Sequence, residues 1–211
     1  TTADPGVVIP SMPGRWGTFL QDEELRPDPT GSQVTGLASV PGGLLAFTEN
    51  STFMIVPSTD GRYFQVATLH STIGCVAPSS IQTLPGGITV WLGHGGFYAY
   101  AGDSVQKISE PIQYYTDKIN APRAMQAVSA IDHDTGEYIC WVPFGNSKVN
   151  NHAFVFDGTG WRERTDEKVA AVCVTRDHRR YMLAAGKSTD NLGAELSGIW
   201  LLEHQTRGYT P

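Results

Sequence analysis

Residues 36–69 read GLASVPGGLLAFTENSTFMIVPSTDGRYFQVATL, and the order of their pieces decides the fold. Apolar runs of strand length, GLASV, LLAFTEN, TFMIVP and YFQVATL, alternate with turn-forming breaks. The first break is Pro41-Gly42-Gly43 and the last is STDGR. Proline fixes φ and the glycines can take φ > 0, so two strands can reverse tightly there. Alternation is clear within a run. In TFMIV, Phe53 and Ile55 share one face of a strand and Met54 and Val56 the other.

The same order returns downstream. Residues 74–109 read GCVAPSSIQTL, the turn Pro85–Gly87, then ITVWLG, GFYAYAG and SVQKIS. In GFYAY, Tyr98 and Tyr100 lie together opposite Phe97. A third unit reads MQAVSAID, the turn HDTG, EYICWVPF, AFVFDG and WRERTD. A fourth reads VAAVCVTRD, HRR, YMLAAG and GIWLLEH. The second strands recur at about 43 to 49 residues. Three or four short strands per repeat at that period predict an all-β, β-propeller-like fold of about four blades, complete or partial. The blades fall at 36–73, 74–109, 124–166 and 169–205. They are preceded by a strand-and-loop segment, 1–35, and followed by a loop, 206–211.

Composition agrees with this reading. The 211 residues are 40% hydrophobic and 17% charged, enough for a globular β-rich body with a real core. The 23 glycines and 13 prolines cluster between the apolar runs, as many turns require. One stretch has helical spacing: in SEPIQYYTDKIN, Ser109 can cap, Pro111 sits in the first turn, and Ile112, Tyr115 and Ile119 share a face. It predicts a single linking helix over Glu110–Ile119. In the first 35 residues, VVIP and RWGTFL read as short edge strands, and QDEELRPDPTGSQ as an exposed acidic loop. The insertions Gly145–Asn151 and Gly186–Gly198 read as polar hairpin loops, the kind of place where partners bind.

The net charge is −6, with Lys and Arg scattered apart from Arg176, Arg179 and Arg180. That is not the basic stripe of a tight nucleic-acid binder. No apolar run reaches the length of a membrane span. The opening TTADPG lacks the regions of a secretion signal and an initiator Met, and the end TRGYTP reads as mid-loop, so a piece of a longer chain is expected. Cys75, Cys140 and Cys173 are odd in number and widely spaced, which gives no disulfide framework or metal knuckle. Each lies among apolar neighbours and reads as a small core residue, and Trp91, Trp141, Trp161 and Trp200, at strand positions, read as large core-packing residues.

Chemistry is sparse. His70, His94, His133, His152, His178 and His204 show no ligand spacing to each other, to Cys or to carboxylates. The loop DHDTGE around His133 lacks the regular oxygen ligands of a calcium loop and reads as a hairpin turn with solvated acids. Asp22, Glu23, Glu24, Asp60, Asp103, Asp166 and Glu167 fall in turns or in the N-terminal stretch, and no pair stands out as the two carboxyls of a glycosidase. GHGG at Gly93–Gly96 joins two strands and reads as a tight hairpin turn, not a phosphate loop. The expectation is therefore no catalytic, cofactor-binding or metal residue and no cofactor.

The second unit resembles the blade signature of phage virion proteins related to the tail nozzle, the tail tubular protein B type, of short-tailed phages. The residues that carry the likeness are Phe47-Thr48-Glu49, Gly74-Cys75, Ala77-Pro78-Ser79, Val90-Trp91-Leu92, Gly95-Gly96-Phe97-Tyr98 and Gly102, with AFVFDGTGWRERT (Ala153–Thr165) as a further blade-like stretch. The likeness spans roughly residues 36–205, although the chain is much shorter than nozzle proteins. It implies a structural role in the virion as a nozzle, hub or neck ring on the path of DNA exit. Its partners would be copies of itself and other tail or neck proteins, such as adaptor, portal-side or fibre proteins. DNA would pass transiently without specific binding, and synthesis would be in the host cytoplasm. The acidic balance fits a conduit wall that repels phosphates. Two other classes compete: a host-receptor or glycan-binding propeller, with Trp16 or Tyr209 as exposed aromatics, and a glycan-hydrolysing enzyme.

Overall fold

The computed structural model describes residues 4–12, 14–15, 17–19, 23–59 and 63–174, and beyond these the backbone of 180–184, 188–189, 195–196 and 199–201. The chain divides into two compact units, Thr1–Ile108 and Ser109–Pro211.

In the first unit the quoted stretch forms a meander of four antiparallel strands. These are β1 (Val34–Val40), β2 (Gly43–Thr48), β3 (Thr52–Pro57) and β4 (Phe64–His70). The second repeat forms β5 (Gln82–Thr83), β6 (Thr89–Gly93), β7 (Gly96–Tyr100) and β8 (Val105–Lys107), again in sequential order. In the second unit, β9 (Val128–Asp132), β10 (Glu137–Val142), β11 (His152–Phe156) and β12 (Trp161–Thr165) make a third such sheet. The fourth repeat gives a three-stranded sheet of β13 (Val169–Val174), β14 (Arg180–Ala184) and β17 (Ile199–Leu201). A two-stranded hairpin, β15 (Ser188–Thr189) with β16 (Glu195–Leu196), lies within the second insertion.

The fold is thus mostly β, built of antiparallel meanders, and the residue-by-residue alternation places the core. Met54 and Val56 join Ala38, Val40, Leu45 and Phe47 on one face of the first sheet, which packs on Cys75, Trp91, Tyr98 and Tyr100 of the second repeat. Phe53 and Ile55 point the other way, into a cluster with Ala46, Leu25 and Val8. The N-terminal segment therefore covers the far face of the first sheet. Among its described residues the pairings are the isolated bridges Val8–Leu25 and Ser11–Phe19, where VVIP and RWGTFL are expected as edge strands; Trp16 and Leu20 of the latter lie outside the described residues. Its supposedly exposed loop also buries Leu25 and Asp28, whose carboxylate accepts the Thr30 N–H at 2.8 Å.

Three further expectations need correction. GCVAPSSIQTL is not a strand for most of its length: Pro78–Ser80 is a 3-10 turn and only Gln82–Thr83 pairs. The helix expected over Glu110–Ile119 is a 3-10 turn, Glu110–Ile112, and one α-helical turn, α1 (Gln113–Thr116). It stops because Ile119 is drawn into a bridge with Phe144, and a second 3-10 stretch, Ala121–Gln126, follows. In the turn after β1 only Gly42 has positive φ (87°), whereas both Gly86 (99°) and Gly87 (85°) do in its counterpart. Gly43 is required for space instead: a Cβ there would meet the Ile55 carbonyl.

Candidate functional site

Much of the quoted signature, Phe47-Thr48-Glu49, Gly74-Cys75, Ala77 and Trp91-Leu92, meets in one place, the joint between the first two sheets. After β4 the chain runs as an irregular segment, Gly74–Ile81, along the ends of β2 and β6. The Cys75 N–H donates to the Thr48 carbonyl at 2.9 Å, and the Val76 N–H to the Leu92 carbonyl at 3.1 Å. The Thr35 hydroxyl donates to the Cys75 carbonyl at 3.0 Å, and the Thr52 hydroxyl to the Ile73 carbonyl at 2.7 Å. On the far side of the segment, buried Ser80 accepts the Leu92 N–H at 2.8 Å and donates to the Ala77 carbonyl at 2.6 Å. One irregular segment thus occupies backbone groups of both sheets, as a buried polar chain must.

Trp91 closes the joint. Its ring is fully buried, 4.9 Å from the Phe47 ring, and its Nε1–H donates to the Gly74 carbonyl at 3.0 Å. Gly74 has no room for a side chain, because a Cβ would overlap the Thr48 and Glu49 carbonyls. A Cβ on Gly93 would sit 2.6 Å from the Gly74 oxygen. The two Pro-Gly-Gly turns also meet: the Cβ position of Gly87 is 3.4 Å from Cγ of Pro41. Burial pushes the Cys75 thiol up to about 12, with its S–H pointed at the Ala77 carbonyl, so it packs and does not react.

At the solvent end of this joint, Glu49 and His94 from the β2–β3 and β6–β7 turns approach at 3.3 Å. The hairpin expected at GHGG is there, with His94-Gly95 as its two turn residues and the Tyr98 hydroxyl donating to the His94 carbonyl. Both side chains of the Glu49–His94 pair are more than half exposed, so it is a surface tie.

The second unit has a joint of different construction. Trp141, buried on β10, packs with Val155 against Val169 at the start of β13. Its Nε1–H donates to the Glu167 carboxylate at 2.7 Å. The two tryptophans therefore do not serve one repeated position. Trp91 reaches back to the segment before its own sheet, and Trp141 reaches forward to the segment after its own. The loop Gly145–Asn151, read from sequence as a polar hairpin loop, is part of the second joint. Buried Asn150 donates to the carbonyls of both Gln126 and Val169 at 2.8 Å, and Asn151 accepts the Phe144 N–H at 2.8 Å. Gly145 N–H is bound by the Lys118 carbonyl and the Asn120 side chain donates to Ser147.

The remaining candidate residues stay apart. His152 is buried, its ring stacked 4.2 Å from Phe144, with Nε2 2.8 Å from Glu163 Oε2 but without the alignment of a hydrogen bond. His70 accepts the Thr72 N–H at 3.2 Å, and His133 is exposed in its hairpin turn. That turn differs from expectation in one respect. Asp132 is buried and accepts the Asp134 N–H, and Glu137 is buried and paired with Arg162, so neither acid is solvated. Glu167 is likewise half-buried on Trp141. Cys140 is buried as expected, but Cys173 is exposed. Trp161 is only half-buried. Trp16, Asp22, Asp60, Arg176, His178, Arg179, His204 and Tyr209, and the side chains of Arg180 and Trp200, lie outside the described residues. Among the described residues no three His, Cys, Asp or Glu side chains gather as a metal cluster, and no helix is long and apolar enough to cross a membrane.

No protein-family model matches the chain, and no curated protein matches it in sequence. Sequence reasoning ranked Trp91 and Cys75 as core and overlooked Gly74, Thr48, Ser80, Asn150 and Glu167 as their partners. Gly74 and Thr48 stand in the quoted signature, whereas nothing local marks Ser80, Asn150 or Glu167 as such partners.

Proposed function

We propose that the chain is a structural component of a bacteriophage virion, in which the meanders are propeller blades forming part of a tail nozzle, hub or neck ring on the DNA exit path. One observation carries the reading. Several of the residues behind the resemblance to nozzle proteins, Phe47-Thr48-Glu49, Gly74-Cys75, Ala77 and Trp91-Leu92, are contiguous in the joint between the first two sheets, while Gly102 lies in the β7–β8 turn and Ala153–Thr165 in the second unit. A motif spent on joining sheets suits a mechanical part.

In this reading the partners are copies of the chain and other tail or neck proteins, arranged head to tail about the particle axis. The net charge of −6 keeps the conduit from holding DNA by its phosphates. The chain is made in the host cytoplasm and resides in the virion. The test is a cryo-EM reconstruction of the particle that contains this chain. An axial ring at the tail or neck bears the reading out. A soluble protein absent from any particle sinks it, and a glycan screen of the propeller surface then becomes the next experiment.

A further inference from the structure

We draw no further inference here: the strongest candidate, the open apolar groove that Ile9, Met12 and Phe19 of the N-terminal segment form with Phe64 of β4, carries nothing because nothing in the structure shows what covers it.

Discussion

The Trp91 indole N–H donates to the Gly74 carbonyl across 3.0 Å in a fully buried joint, and this bond fixes how an irregular segment lies between two sheets. Trp91→Phe keeps most of the ring contact with Phe47 but leaves a buried carbonyl without its donor. A loss of about 1–3 kcal/mol in stability to chemical denaturation is expected, from the desolvation cost of an orphaned acceptor. Trp91→Ala removes the packing too and is expected to lose about 3–5 kcal/mol. If Trp91→Phe were neutral, the bond would not hold the joint.

Gly74 is a site of close approach, and Gly86 is a site of backbone conformation. A Cβ on Gly74 overlaps two backbone carbonyls that cannot swing aside, whereas a Cβ on Gly86 meets nothing within 4 Å but must adopt a φ of 99°. Gly74→Ala is therefore expected to cost about 3 kcal/mol, the upper end for an overpacked core site. Gly86→Ala should cost only the strain of a left-handed residue, about 1–2 kcal/mol. Equal melting temperatures for the two variants would count against the geometry of the joint.

The cysteines divide by burial. Cys75, with its thiol pushed up to about 12 by desolvation, and Cys140 are enclosed, while Cys173 is exposed on β13. Alkylation of the native protein at mildly alkaline pH, read by mass spectrometry, is expected to label Cys173 alone. All three should react in denaturant. Early labelling of Cys75 would mean that the joint opens readily.

The alternation of Phe53, Met54, Ile55 and Val56 was legible because a strand allows only two faces, and the two clusters received the residues accordingly. The Gly74–Ile81 segment was not. Its composition reads as a strand, but Pro78 supplies no N–H and opens a 3-10 turn. The Cys75 and Val76 N–H groups then donate to the Thr48 and Leu92 carbonyls, which takes the backbone out of a strand ladder. The helix was overextended for the same kind of reason. Ile119 fits the helical face, yet it pairs better with Phe144 than with the next turn. The loop at Gly145–Asn151 reads as a polar hairpin because Asn and Gly mark turns. Nothing local announces that Asn150 will find the carbonyls of Gln126 and Val169, residues 24 and 19 positions away.

Asn150 holds that second joint by donating both hydrogens of one amide to two carbonyls from different segments. Asn150→Ala is expected to lose about 2–4 kcal/mol, since two acceptors lose their donor at once. Asn150→Asp is the sharper test. It keeps the size but turns a carboxylate toward two carbonyl oxygens, so it should be at least as destabilising as alanine at neutral pH and should recover on acidification as the carboxylate takes a proton. Loss of stability that ignores pH in Asn150→Asp would show that shape alone, without the donors, matters there.

The turn between β11 and β12 carries its own pH dependence. Asp157 accepts the Gly160 N–H at 2.7 Å and the Thr159 N–H at 2.9 Å. These bonds, that of Gly160 foremost, hold its carboxyl down at about 2. A carboxyl whose pKa is lower folded than unfolded adds stability above the unfolded value, and that contribution fades as pH falls through the folded one. The turn is therefore expected to be intact above about pH 4, near the ordinary aspartate range, and to loosen as pH drops toward 2. The amide resonances of Thr159 and Gly160 should report it together, shifting with a single midpoint near 2. Asp157→Ala removes the acceptor and should abolish that transition while leaving the β11–β12 register unchanged. Two separate midpoints, or a transition that survives Asp157→Ala, would assign the titration to another group.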